Sequence, residues 1–356
     1  MRRWLILLVM LSLCLRPAHA QENTIRVDVF LELDPTTGGA RIYFVDALTG
    51  LSTLASVDQG RNFTLVGDYV LYEKPENGVI MRATLNGLLE PHPFIHRSVG
   101  VQALYWTVSP DHQTIAWTVV AADGSSTAYA AWADGHDLRQ LPIESPQPPL
   151  QLYPLALSNS MSHFFYDSAH TPNPSAPYAI FEHVREYSLV DETFVDIPQE
   201  PTCPCSAALA PGGRILGRLE ASLGQGPFIL HVWDLPTGAD ITIPPPNFSF
   251  QTGGDLILNN NGTLAAYSLS EGVGSNTTAE QYALVLADVV AGQQIVALPP
   301  GNLRYQPIAF IDNDEALLLT ASTGTYKLAL STGDLKQVSN YIYLGAITQS
   351  PAAAAP

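Results

Sequence analysis

The chain of 356 residues is short of cysteine, of positive charge and of long apolar runs. Three cysteines are too few for a disulfide framework. Cys14 sits in the N-terminal apolar run, and Cys203 and Cys205 flank Pro204, where a bridge would close a strained ring. A lone C-x-C pair without further Cys or His at ligand spacing does not define a metal site. Lys and Arg number 16 against 33 Asp and Glu, giving a formal net charge of −17. Phosphate backbones and anionic membrane surfaces repel such a chain, so nucleic acid and acidic lipid are not expected partners.

Catalytic motifs are missing too. There is no G-x-S-x-G nucleophile elbow and no H-E-x-x-H zinc signature. Gly212-Gly213 and Gly253-Gly254 adjoin strand starts and read as turns, not as phosphate loops.

The one long apolar run, Leu5 to Leu15, follows Arg2 and Arg3 and precedes Ala18-His19-Ala20. That order predicts a leader over residues 1–20, cleaved before Gln21. The run is shorter than the roughly 20 residues that span a bilayer, and Leu13 before Cys14 does not suit lipidation. The expectation is a secreted or extracytoplasmic protein, in the periplasm or at the cell surface, with no transmembrane segment after cleavage. Losing Arg2, Arg3 and Arg16 makes the mature chain three units more acidic. Such acidity favours solubility and resists self-association, so a monomer is expected.

What is present is a repeat. Val101 to Ile143 reads as four short strands: Gln102 to Val108, Thr114 to Val120, Thr127 to Ala133 and Leu138 to Ile143. Ser109-Pro110-Asp111-His112 breaks the first run, since proline fixes φ and lacks a donor while Ser and Asp favour turns. Ala122-Asp123-Gly124-Ser125 is a hairpin turn, and Asp134-Gly135 closes the third strand. Four antiparallel strands in about 40 residues is the size of one propeller blade.

The segment SPDHQTIAW (Ser109 to Trp117) resembles the signature of TolB-like, WD40-like β-propeller repeats, with His112 where that family usually has Gly. ADGHDLRQL resembles the segment that follows it. Degenerate copies occur as LAPGGRIL (Leu209 to Leu216), LNNNGTLAAY (Leu258 to Tyr267) and FIDNDEALLL (Phe310 to Leu319).

A second recurring feature is a turn ending in Gly, as in Asp46 to Gly50, Asp234 to Gly238, Asp288 to Gly292 and Leu330 to Gly333. Each marks the hairpin between a third and a fourth strand, and Gly supplies the positive φ. First strands are then predicted near Phe63, Gln102, Leu152, Cys205, Gly254, Tyr305 and Tyr341. The last is a lone strand, while Thr24 to Leu33, Arg41 to Asp46 and Leu51 to Val57 lack a first. The C-terminal strand therefore completes the N-terminal blade and removes exposed edges. The expected fold is all-β, a seven-bladed propeller over residues 21–348, with residues 349–356 a disordered Ala/Pro tail.

Candidate chemistry is sparse. His163, Asp167, His170, Glu182 and His183 cluster in the poorly patterned Leu152 to Pro198 unit. Resemblance to seven-bladed, metal-binding lyases would imply a polyuronate lyase there. Asp167 and His170 are expected in a loop, however, and Glu182 and His183 on opposite faces of a strand. Asp312, Asn313 and Asp314 lack the alternating ligands of a calcium loop and read as a turn. Trp106, Trp117, Trp132 and Trp233 fall within strands and are expected in the core between blades. N-x-S/T sequons stand at Asn62, Asn247, Asn261 and Asn276. No catalytic, metal-binding or cofactor-binding residue is assigned, and no cofactor is implied. The reading is a non-catalytic scaffold that binds a protein, peptide or glycan.

Overall fold

A computed structural model describes residues 25–171, 178–179, 181, 183–197, 205–221, 227–246, 250, 252–271 and 279–349. The calls on the leader, Cys203, Glu182, Asn247, Asn276 and residues 350–356 of the C-terminal tail lie outside them, whereas Gln349 ends a strand. Among the described residues there is no helix, and so none long and apolar enough to cross a membrane.

The chain forms seven four-stranded antiparallel sheets, the blades of a propeller. The inner strands of blades 2 to 7 are Arg61–Val66, Val101–Val108, Gln151–Leu157, Cys205–Leu209, Thr252–Leu258 and Gln306–Ile311. Blade 1 takes its inner strand, Ile342–Gln349, from the C-terminus and its other three, Ile25–Leu33, Ala40–Asp46 and Ser52–Val57, from the N-terminus. The closing pair runs from Ile25 opposite Gln349 to Leu31 opposite Ile342, with one bulge. Seven blades and the C-terminal closure are as the sequence implies. The turn glycines Gly50, Gly87, Gly135, Gly238, Gly292 and Gly333 all sit at φ of 64–90°.

Blades stack through apolar faces. In blade 5, Leu219, Leu230 and Val232 meet Leu256 and Leu258 of blade 6. From the opposite face of the strand Ile215–Ala221, Leu216 joins Phe165 and Val184 of blade 4. This period of two, with both faces covered, explains a chain with only 14% charged residues.

Hydrogen bonds also pass from blade to blade. Strand hydroxyls donate to the next blade: Thr118 to the Leu152 carbonyl (2.9 Å), Ser268 to Tyr305 (2.7 Å) and Thr325 to Tyr341 (2.6 Å). A second set joins the turns after the inner strands. The Gly67 N–H donates to the His112 carbonyl (2.6 Å), and the Asp111 N–H to Asn159 (3.2 Å). Asn159 donates to the Pro211 carbonyl (2.6 Å) and Asn259 to Asp314 (2.8 Å).

His92 ties blade 2 to blade 3. Its Nδ1 accepts the Ile95 N–H (3.0 Å), and its Nε2 is 2.9 Å from the Tyr69 hydroxyl, which donates to the Ala133 carbonyl. Burial, with the charges of Arg82 and His96 adding to it, pushes this imidazole down from 6.5 to about 3. The unfolded chain binds the proton near pH 6.5 and the folded chain only near 3. The stabilisation is therefore complete above about pH 6.5 and is lost as pH falls towards 3, at up to about 1.4 kcal/mol per unit. The thermal midpoint is expected to drop between pH 6.5 and 4, less steeply in His92→Leu. Parallel slopes in the two proteins would contradict this.

Candidate functional site: the central channel

The inner strands surround a cavity of about 1200 Å³. All seven run the same way, because each opens an up-and-down blade. Their first residues therefore ring one mouth and the turns that follow them ring the other. Arg61, Asn62 and Gln306 line the first mouth, and His112, Asn259 and Asp314 the second. Between them the wall is aromatic and aliphatic, with Trp106, Ile308, Phe310 and Tyr343.

Local sequence explains the second mouth. In blade 3 the Ser109 hydroxyl donates to Asp111 (2.6 Å) and accepts the Thr114 N–H (2.9 Å), while the His112 N–H donates to the Ser109 carbonyl (2.8 Å). Ser158 and Asn259 repeat this cap in blades 4 and 6, accepting the N–H groups of His163 and Leu264 (2.9 and 3.0 Å). Ser109, Asp111 and His112 therefore build a turn, not a proton relay, since the hydroxyl is bound to the carboxylate. His112 stands at φ 62°, the left-handed region that suits the glycine of the repeat signature. Its ring packs at the inner strand of blade 1, where a Cβ on Gly345 would lie 2.9 Å from Nε2. Burial lowers its pKa, opposed by the Leu65 carbonyl and Asp111. Asp312, Asn313 and Asp314 form the matching turn of blade 7, three consecutive residues at φ 55–68°. Asp312 pairs with Lys327 and Asp314 accepts from Asn259, so both carboxylates have structural partners.

At the first mouth Arg61 and Arg97 both bind the buried Glu73 carboxylate (2.7 and 2.8 Å). Arg304 makes a bidentate pair with Asp255 (2.7 and 3.0 Å), and its guanidinium lies 4.6 Å from the Tyr178 ring. Burial raises the Asp255 pKa against the pull of Arg304. Tyr178 reaches from blade 4 to blade 6, where a Cβ on Gly254 would come within 2.6 Å of it. Beside it Tyr105, Tyr153, His170 and Phe181 pack ring against ring, with Tyr153 4.5 Å from His170.

The histidine set does not converge. His163 is hydrogen-bonded to Glu186 (2.6 Å) at the start of the strand His163–His170. His170 ends that strand, about 23 Å away at 3.3 Å per residue. Its Nδ1 is 3.6 Å from Asp167, which also accepts the N–H groups of Ala169 and His183. Asp167 and His170 are thus strand residues and not loop residues, and both are buried. His183 is exposed just before the strand Val184–Ser188. Among the described residues no three His, Cys, Asp or Glu side chains are placed to share a metal.

The tryptophans divide. Trp117 is buried and stacks on Tyr129 (5.4 Å), whereas Trp106 lines the cavity and donates to Thr64 (3.0 Å). Trp132 and Trp233 are partly buried against blade-packing clusters. Two features escaped the sequence reading: the channel position of Trp106 and the buried Arg218–Glu220 pair (3.0 Å), with His231 3.5 Å from Glu220. Burial depresses the Arg218 pKa. A charged i, i+2 pair inside the apolar run ILGRLEA is the signal that could have found the latter.

The fold defines the class as a seven-bladed β-propeller. No protein-family model matches the chain, and no curated protein matches its sequence. Solved structures do. An oligogalacturonate lyase in complex with manganese has a TM-score of 0.55 at 11% identity, covering 86% of this chain and 97% of that one. The β-propeller domain of the Trilobed protease from Pyrococcus furiosus, described as having an open velcro topology, has a TM-score of 0.53 at 11% identity over 92% and 94%. A Mycobacterium tuberculosis puromycin-hydrolyzing peptidase has 0.53 at 13% identity, over 90% of this chain and 53% of that one. At these identities the likeness is one of fold. His163 and His170 stand at opposite ends of one strand and His183 precedes the next, so the described members of this set form no counterpart to the metal of the lyase.

Gly345 sits in the channel wall, at φ 143° with Leu65 and His112 against it. Gly345→Ala is expected to cost about 1–3 kcal/mol through strain and overpacking. Differential scanning calorimetry would show a lowered midpoint; an unchanged one would contradict the close approach.

Proposed function

We propose that this chain is an extracytoplasmic TolB-like binding module, a non-catalytic propeller that takes a protein segment, peptide or glycan into its channel. The observation that carries this reading is the cavity itself, about 1200 Å³ with an aromatic wall between two polar mouths. Ligand sites are concave and mostly apolar, with a few polar groups that fix orientation. Trp106, Phe310 and Tyr343 offer ring faces to a sugar or an apolar side chain, and Gln306 and Asn62 offer amide donors and acceptors. The acidity of the chain turns the choice away from nucleic acid. Export follows from the leader-like order of residues 1–20. The lyase alternative lacks support in the geometry, because His163, His170 and His183 do not meet.

Trp106 is the built-in reporter. Titration with neutral and basic peptides and with oligosaccharides is expected to shift its emission for one of these classes. Trp106→Phe should abolish the shift, and Gln306→Ala should weaken affinity by about tenfold, near 1.4 kcal/mol. A shift that survives in Trp106→Phe, or silence towards all three classes, would defeat the channel as the site.

A further inference from the structure

Asp and Glu outnumber Lys and Arg by 33 to 16 across the chain, yet the channel escapes that excess. Among the described residues that line it, Asp314 is the only acid and Arg61 the only lysine or arginine. They stand at opposite mouths. The channel is therefore basic at the first mouth, acidic at the second and apolar between.

Arg61 is held so that part of it stays open. Its Nε and Nη2 donate to the two oxygens of Glu73 (3.0 and 2.7 Å), which fixes one edge of the planar guanidinium. Glu73 also accepts from Arg97 Nη1 (2.8 Å), so one buried carboxylate is shared by two guanidinium groups and one positive charge is left over. Arg97 directs its other donors to backbone carbonyls, Nε to Val101 (3.2 Å) and Nη2 to Gln102 (2.6 Å). Arg61 has no such outlet. Its Nη1 meets no acceptor among the described residues, and its side chain is 54% exposed. The edge formed by Nη1 and the second Nη2 proton is thus oriented by Glu73 and unoccupied.

We propose that the channel takes a peptide whose carboxylate, from its C-terminus or from an acidic side chain, lies on this edge of Arg61. The proposal rests on the channel being the binding site. A carboxylate matches the guanidinium fork with two parallel hydrogen bonds, and Asn62 and Gln306 line the same mouth. Trp106 is hydrogen-bonded to Thr64, three residues along the strand from Arg61. Its indole therefore stands about 10 Å further in, the reach of three extended residues. A short apolar stretch beside the carboxylate would fill that distance. A polyuronate fits less well, because it carries a carboxylate on every sugar while the wall offers one arginine and ends on Asp314.

Calorimetric titration of the full chain tests this with N-acetylated pentapeptides drawn from Leu, Val, Phe and Ala. Three forms are compared: the free acid, the C-terminal amide, and the amide with Glu as its last residue. One or both acidic forms should bind at least about tenfold more tightly than the plain amide, and the tighter of the two names the source of the carboxylate. Arg61→Gln should erase the preference and leave the affinity of the plain amide unchanged. Arg97 still holds Glu73 in that variant, so its thermal midpoint should fall little. Equal affinity for all three forms, weakened by Trp106→Phe, overturns the carboxylate and keeps the channel. An acid preference that survives Arg61→Gln also overturns it. Binding that neither variant changes overturns the carboxylate and the channel together. No binding by any form, or tighter binding of a uronate trimer, rules out the peptide.

Discussion

Ring closure is the constraint on which the rest depends. Ile342–Gln349 must pair with Ile25–Leu33 across more than three hundred residues, and every other blade is local by comparison. Loop-closure entropy grows only slowly with length, but it must be met before the contacts that reward it exist. The closing strand returns seven paired positions along the ladder and buries Ile347 beside Val27 and Val29. Without it the edge of Ile25–Leu33 would be an open template and blade 1 would be three strands with one bare face. Gly345 on the closing strand also leaves the room that the Leu65 and His112 side chains occupy against it.

Around the second mouth, that constraint is met by turns in costly conformations. His112 and the Asp312–Asn313–Asp314 run hold left-handed backbones that glycine would adopt more cheaply. Each is fixed by a neighbouring blade: His112 through its carbonyl to Gly67, Asp314 through its carboxylate to Asn259. Side chains are thereby brought to the mouth where glycine would bring none. Strain of this kind persists where the surroundings over-determine it, which is typical of ligand-facing positions. The first mouth is held differently, by charge. Glu73 and Asp255 are each clamped by arginine, so positive side chains stand at the rim without an unpaired charge beneath them.

The architecture was legible in the sequence because propeller turns are local. A Gly at positive φ four residues after an Asp, as at Gly50, Gly238 and Gly292, needs no tertiary information, and with the shorter turns at Gly87, Gly135 and Gly333 these count the blades. Blade 4 was obscure for equally physical reasons. Its inner strand contains Pro154 and two bulges, and its second strand buries Asp167 and His170 in place of aliphatic residues. Both therefore read as loop. The channel was illegible for another reason. Bulges at Val101/Ala103, Gly254/Ile257 and Pro307/Ala309 shift which side chains of the inner strands face the axis, and a one-residue slip exchanges the two faces. Trp106 and Trp117 stand opposite each other in one sheet, yet Trp106, on the inner strand, lines the channel, while Trp117, one strand further out, is buried between blades. Contacts such as Tyr178 on Gly254 join segments far apart in sequence, and no local pattern announces them.

The acidity and the edges are two sides of one design. An all-β ring of seven blades has seven outer edges, and six of them carry charge or proline, which discourages edge-to-edge pairing, whereas Ser52–Val57 in blade 1 carries neither. The exception falls on the blade that holds both ends of the described chain. Ser52–Val57 pairs with Ala40–Asp46, which in turn pairs with Ile25–Leu33, the strand that Ile342–Gln349 must capture. Whatever binds the closed ring but not the open one stabilises closure by mass action.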